Sequence, residues 1–167
     1  MLCPTEEREV FRMTVHLVKL CVGIDSVDEL ITWFASDDCK KARKRKGLKS
    51  PNEHAHWTRM KPKRLEEVLD GGSLYWVIRG RICVRHRILR LDDVQDEKGN
   101  AYCAIVYDPT VTLTETRPRR AFQGWRYLEE EDAPADLADQ RAALRAARAE
   151  ADLPPKMVAE LKALGLL

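Results

Sequence analysis

Three groups of basic residues, two of them bordered by tryptophan, mark the middle of this 167-residue chain. Arg59, Lys61, Lys63 and Arg64 form the first, directly after Trp57. Arg79, Arg81, Arg85 and Arg87 form the second, and Arg117, Arg119 and Arg120 the third, with Trp125 close behind. Lysines and arginines set along a phosphate backbone release its counterions and supply affinity that is independent of sequence. Indole rings and guanidinium planes stack on unpaired bases. These thirteen residues are therefore the candidate nucleic-acid surface. The first group also stands where a helix is expected to start at Pro62, and free N–H groups at a helix start favour a phosphate. Each group has a plain structural use as well. Arginines pair with acids or stay solvated, and tryptophans pack in a core or at its rim.

Other constellations are thinner. His54 and His56 have a spacing compatible with a metal in an extended segment, but no third ligand stands at a matching distance, so no metal is assigned. Asp70-Gly71-Gly72-Ser73 lacks the lysine and the helix-opening position of a phosphate loop, and it reads as the end of a helix. Glu66 and Glu67 are residue types suited to acid/base work in a pocket. No catalytic role is assigned to them, and no cofactor is implied. Five cysteines, odd in number and without a C-x-x-C pair, read as reduced thiols, with Cys21, Cys83 and Cys103 as small core residues.

The elements that position these groups follow from periodicity. Met13 to Cys21 is an apolar, β-branched run of strand length, which leaves residues 1–12 as a leader. Ser26 and Glu29 form a reciprocal cap for a helix whose inward stripe is Val27, Leu30, Ile31 and Phe34. Residues 40–64 hold eleven Lys or Arg against one acid, Glu53, with Gly47, Ser50, Pro51 and Asn52 as breakers. That composition predicts an exposed basic loop over residues 39–56. A short strand at Trp57 to Arg59, a helix from Pro62 ended by Gly71, and a hairpin of Leu74 to Arg79 with Ile82 to Leu91 come next. In the second hairpin strand, alternation places Ile82, Val84, His86 and Ile88 on one face and Arg81, Cys83, Arg85 and Arg87 on the other. Two more strands, Ala101 to Tyr107 and Val111 to Thr116, complete an α+β fold: a small, mainly antiparallel barrel with two inserted helices.

From Glu129 the charge reverses, with eight acids against three arginines up to Asp152 in an Ala-rich helical pattern. A boundary near Pro134 separates a domain of residues 13–133 from an acidic helical segment, 134–167, whose last helix carries Met157, Val158, Leu161 and Leu164 on one side. The net charge of +2 is thus a cancellation between a basic middle and an acidic end. The length allows one ordinary domain with an appendage, and the 44% hydrophobic content excludes full disorder. No run approaches the roughly 18 apolar residues of a membrane span, and Glu6, Glu7, Arg8 and Glu9 do not suit a signal peptide. A cytoplasmic location without membrane contact is the expectation.

The opening Val15 to Gly23, the run Thr58 to Leu74 with Tyr75-Trp76-Val77-Ile78, and the stretch Arg117 to Leu128 resemble an alphaproteobacterial family, domain of unknown function 1489. The likeness covers residues 13–137 and implies a bacterial source. The order of a short strand (Trp57 to Arg59), a helix ending in Gly (Pro62 to Gly72) and an aromatic-rich strand (Leu74 to Arg79) is similar to the PUA-like barrels, including the ASCH, EVE and YTH domains. That similarity implies RNA or modified-base binding. The aromatic cage of YTH domains has no counterpart here, and the basic insert departs from a minimal PUA domain.

Three functions are compatible with these features: a nucleic-acid-binding PUA-like module, a hydrolase acting on a modified nucleoside or nucleotide through Thr58, Lys61 and Glu66, and an adaptor or homodimer joined through residues 154–167.

Overall fold

The computed structural model describes residues 13–166, so the expected leader lies outside the described residues. Seven strands form one sheet: β1 (Val15–Leu20), β2 (His54–Thr58), β3 (Ser73–Ile78), β4 (Arg81–Gln95), β5 (Ala101–Tyr107), β6 (Thr112–Pro118) and β7 (Trp125–Glu129). Five α-helices accompany them among the described residues: α1 (Val27–Ala35), α2 (Asp37–Arg45), α3 (Leu65–Leu69), α4 (Gln140–Ala151) and α5 (Pro155–Ala163). The strand order is β2-β5-β4-β3-β1-β7, with β6 also on β4. Only β1 and β3 are parallel. The α+β, mainly antiparallel expectation holds. No ladder joins β2 to β7 among the described residues, so the sheet is not closed.

The segment expected as a basic loop over 39–56 begins instead as a helix, α2. Ser36 explains why. Its hydroxyl donates to the Trp33 carbonyl at 2.6 Å, closing α1, and accepts the Cys39 N–H at 3.2 Å, capping α2. Lys, Arg and Ala are good helix formers, and here Asp37 and Asp38 stand at the start while Arg43, Lys44 and Arg45 stand at the end, each charge opposing the helix dipole. Counting charge predicted a loop because it ignored propensity and capping. The cap on α1 also differs slightly from expectation. Ser26 accepts the Glu29 N–H at 3.1 Å, but the Glu29 carboxylate accepts from Asp25, one residue before the cap.

Strand β4 breaks the expected alternation. Its register against β3 shifts by one residue, so that Val77 faces Ile82 while Trp76 faces Val84. A bulge moves every side chain before it to the other face. Ile82 therefore leaves Val84, His86 and Ile88 and packs with Val18, Tyr75, Val77 and Leu128, against which half-buried Phe122 rests. The larger cluster on the opposite face joins Val15, Leu17, Leu74, Trp76, Val84, Ile88 and Ile105 to Leu30 of α1 and Val68 of α3. Leu137, Ala143 and Leu144 extend this cluster beyond Pro134. The Gln140 side-chain amide pairs with both backbone groups of Leu113 at 2.7 Å, which fastens the start of α4 to β6. Farther on, Lys162 of α5 pairs with Glu150 of α4, and Met157, Leu164 and Leu166 are exposed.

Strands β5 and β6 are successive partners of one β4 edge, interrupted at residues 108–111. His86 sits under the interruption. Its Nδ1 lies 3.0 Å from the carbonyl oxygens of both Asp108 and Thr110, so Nδ1 carries the proton and serves carbonyls that the broken ladder leaves free.

Candidate nucleic-acid interface

At one end of the sheet, the β3–β4 hairpin turns on Arg79 and Gly80, with φ values of +47° and +75°. Positive φ at both central residues is the signature of the twisted two-residue hairpin turn. In the β4–β6 ladder, Arg81 is opposite Pro118 and Ile82 opposite Arg117, and the Arg119 N–H donates to the Gly80 carbonyl at 2.8 Å. This pairing brings Arg79 and Arg81 beside Arg117, Arg119 and Arg120, so part of the second basic group meets the third.

The chain then turns at Gly124 (φ +76°) and enters β7. Between the two strands, the Phe122 ring carries the guanidinium of Arg119 at 5.6 Å and that of Arg126 at 5.5 Å. An open concavity of about 530 Å³ is lined by Pro118, Arg119, Arg120, Ala121, Phe122, Arg126 and Tyr127. A second, of about 460 Å³, adjoins it through Ala121 and Phe122 and is bounded by Lys19, Leu20 and Val22. Among the described residues, no carboxylate pairs with Arg81, Arg119, Arg120 or Arg126. Arg117 donates to the Asp132 carbonyl, and Arg126 to the carbonyls of Gln123 and Trp125. The site thus combines unneutralised guanidinium groups with an aromatic ring at a concave surface.

The remaining candidates lie elsewhere. Arg85 makes a two-pronged bond to Asp136, 2.6 and 2.5 Å, and reaches Ser73 at 2.9 Å. The bond from Arg85 holds the Asp136 carboxyl below the usual carboxylate range. Arg85 is thereby committed to anchoring the segment before α4. Arg87 is exposed. Arg79 lies 3.5 Å from Asp25, both largely exposed, a pair that contributes little.

The first basic group is mostly consumed by structure. Arg64 bonds Glu67 at 2.5 Å and Glu129 at 2.6 Å, and it stands 5.4 Å from the Tyr127 ring. Both oxygens of Asp93 hold the Lys61 ammonium, at 2.9 and 2.8 Å, and raise its pKa. The N–H groups of Lys63 and Arg64, expected to be free for a phosphate, instead donate to the Tyr127 hydroxyl at 2.8 and 3.2 Å. The Lys63 side chain is exposed. Trp125 is only 9% exposed and donates its indole N–H to the Met60 carbonyl at 2.8 Å, so its ring is packing, not a stacking platform. Trp57 is half-buried. It stacks obliquely on Tyr102 (5.8 Å, 34°), with Arg59 5.9 Å from the same Tyr102 ring, in a patch on β2 and β5 separate from the concavities.

Neither concavity is lined by Thr58, Lys61 or Glu66. His54 and His56 lie on a strand whose inner face meets aromatic rings, and burial pushes their pKa values down to about 4 and about 3. Among the described residues, no group of three His, Cys, Asp or Glu side chains is placed to hold a metal. The four described cysteines are free thiols.

Residue-type counting missed Phe122, Arg126, Lys19 and Tyr102. Arg126 was legible, because alternation along Trp125-Arg126-Tyr127 sends it outward when Trp125 points inward. Phe122 lies in a turn, where no periodicity marks it.

Fold and surface together define an α+β chain built on an open seven-stranded sheet, with a cationic, aromatic-centred concavity at one end. Within that class, the chain belongs to the family described as Protein of unknown function (DUF1489), whose model matches residues 17–167 and so includes α4 and α5. No curated protein and no solved structure matches the chain. Among the described residues, no helix is long and apolar enough to cross a membrane.

Proposed function

We propose that this chain binds nucleic acid, single-stranded RNA above all, at the concavity around Phe122. The observation that supports this most directly is the placement of Arg119 and Arg126 against one aromatic ring, with Arg120, Arg81 and Arg117 nearby and no carboxylate on Arg81, Arg119, Arg120 or Arg126 among the described residues. Guanidinium groups hold phosphates, and a freed guanidinium plane or ring edge receives an unpaired base. The preference for RNA rests on the likeness of element order to PUA-like domains, and the open sheet is read as an incompletely laddered form of that barrel. Of the acids from Glu129 onward, Glu129 pairs with Arg64 and Asp136 with Arg85, and none lines the first concavity.

Fluorescence anisotropy with a short labelled RNA single strand tests the reading. Binding should weaken steeply with salt, and Arg119→Ala combined with Arg126→Ala should weaken it further, while Arg64→Ala should act on stability and leave binding near the starting level. Absence of binding at low ionic strength would remove the proposal.

A further inference from the structure

Lys19 of β1 stands opposite Trp76 of β3 and opposite Trp125 of β7, on the sheet face that packs against α1. The two indoles differ in one respect. The Trp125 N–H donates to the Met60 carbonyl, whereas the Trp76 N–H is buried without a partner among the described residues, in a side chain only 6% exposed. Leaving a buried donor unpaired is costly, and such groups are few in folded proteins.

Two more polar groups stand beside this donor. The His56 ring of β2 lies 5.9 Å from the Trp76 ring at 83°, although β5 and β4 separate their strands in the sheet. Strands three steps apart lie about 14 Å from one another in a flat sheet, so side chains that meet across them line a concave face. Lys19 and His56 are both half-buried, and among the described residues no hydrogen bond or acid holds either. Burial lowers the pKa of both groups, and at His56 the charges of Lys19 and Lys46 add to the effect. Lys46 itself donates to the Ala55 carbonyl, which leaves Lys19 as the unpaired ammonium.

We propose that Lys19, His56 and the Trp76 indole N–H form a binding site for the carboxylate of a small aromatic or apolar acid, on the concave face of the sheet. A neutral imidazole carries one N–H, so the site offers three donors and no acid. Its single unpaired ammonium balances a monoanion, whereas a phosphate monoester, with close to two charges, leaves one unmatched. The indoles of Trp76 and Trp125 give the flat apolar walls that the body of such an acid needs. Phe122 packs on the opposite face with Val18, Tyr75 and Val77, so this site is separate from the nucleic-acid reading and does not rest on it.

The test titrates the full chain with benzoate and follows the tryptophan indole N–H resonances by NMR. Benzamide serves as the neutral molecule of the same shape, and inorganic phosphate as an anion without an apolar body. Benzoate should move the Trp76 indole resonance to saturation, and benzamide should bind about tenfold more weakly or worse, as loss of a charged hydrogen bond predicts. Lys19→Met keeps the apolar stem and removes the charge, and it should weaken benzoate by about the same factor, while Lys19→Arg should retain binding. If the Trp76 resonance stays in place at tens of millimolar benzoate, the site is wrong. Equal affinity for benzoate and benzamide would remove the role of Lys19, and tighter binding of phosphate would overturn the carboxylate assignment. The parent chain alone gives these three readings, so a variant that fails to fold leaves the test intact.

Discussion

The indole N–H of Trp125 on β7 donates to the carbonyl of Met60, two residues beyond β2, at 2.8 Å. These strands are the two ends of the sheet order, and no backbone ladder connects them. One side-chain bond, reinforced by Tyr127 accepting from Lys63 and Arg64, thus fastens the β2–α3 connection to β7.

Trp125→Phe keeps most of the ring but removes this bond. Loss of about 1 kcal/mol is expected, seen as a lower urea midpoint with an unchanged slope. The proposed RNA binding should survive, because the proposed site around Phe122 does not use the indole. A binding loss larger than the stability loss would return Trp125 to the list of contact residues.

Gly72→Ala is expected to be far more damaging. A Cβ there would stand 2.1 Å from the Val68 carbonyl oxygen and 2.6 Å from that of Val15, and both neighbours are backbone atoms. The end of α3 and the start of β1 would have to separate. The cost should exceed about 3 kcal/mol, enough to abolish a cooperative thermal transition in a marginal domain. A variant melting within a few degrees of the parent would show that this junction yields easily.

Acid should destabilise the fold well before carboxylates are protonated. Burial lowers the pKa of His16, of His54 and His86 (each to about 4) and of His56 (to about 3). The unfolded chain takes up these protons near pH 6.5, the folded chain only much lower. Stability is therefore fully present above pH 6.5 and falls as pH drops toward 4, by up to about 1.4 kcal/mol per pH unit for each imidazole. Chemical denaturation at pH 7, 6 and 5 should follow that slope. By NMR, the His54 and His86 rings should remain neutral at pH 5.5 in the folded chain, and titration of either near 6.5 would refute the assignment.

The order of β1 to β6 with α1 and α3, the helical ends at Ser26 and Gly71, the hairpin at Gly80 and the basic middle against an acidic end were legible in the chain, because each depends on neighbours within a turn or a strand, whereas β7 was not expected as a strand. Helix α2 was legible too, through Ser36 and good helix formers, but a charge count obscured it. What tertiary structure alone decided is which cations are free. Arg64, Lys61 and Arg85 look like Arg119 and Arg120 in sequence, yet they meet Glu129, Asp93 and Asp136 from distant segments, whereas the β4–β6 ladder carries Arg119 and Arg120 to an end of the sheet without such partners. The bulge at Ile82 and Val84 was equally hidden, since one inserted residue alters no local pattern but reverses the face of every side chain before it. Ion pairing and register depend on contacts between residues remote in sequence, and these exist only once the sheet has formed.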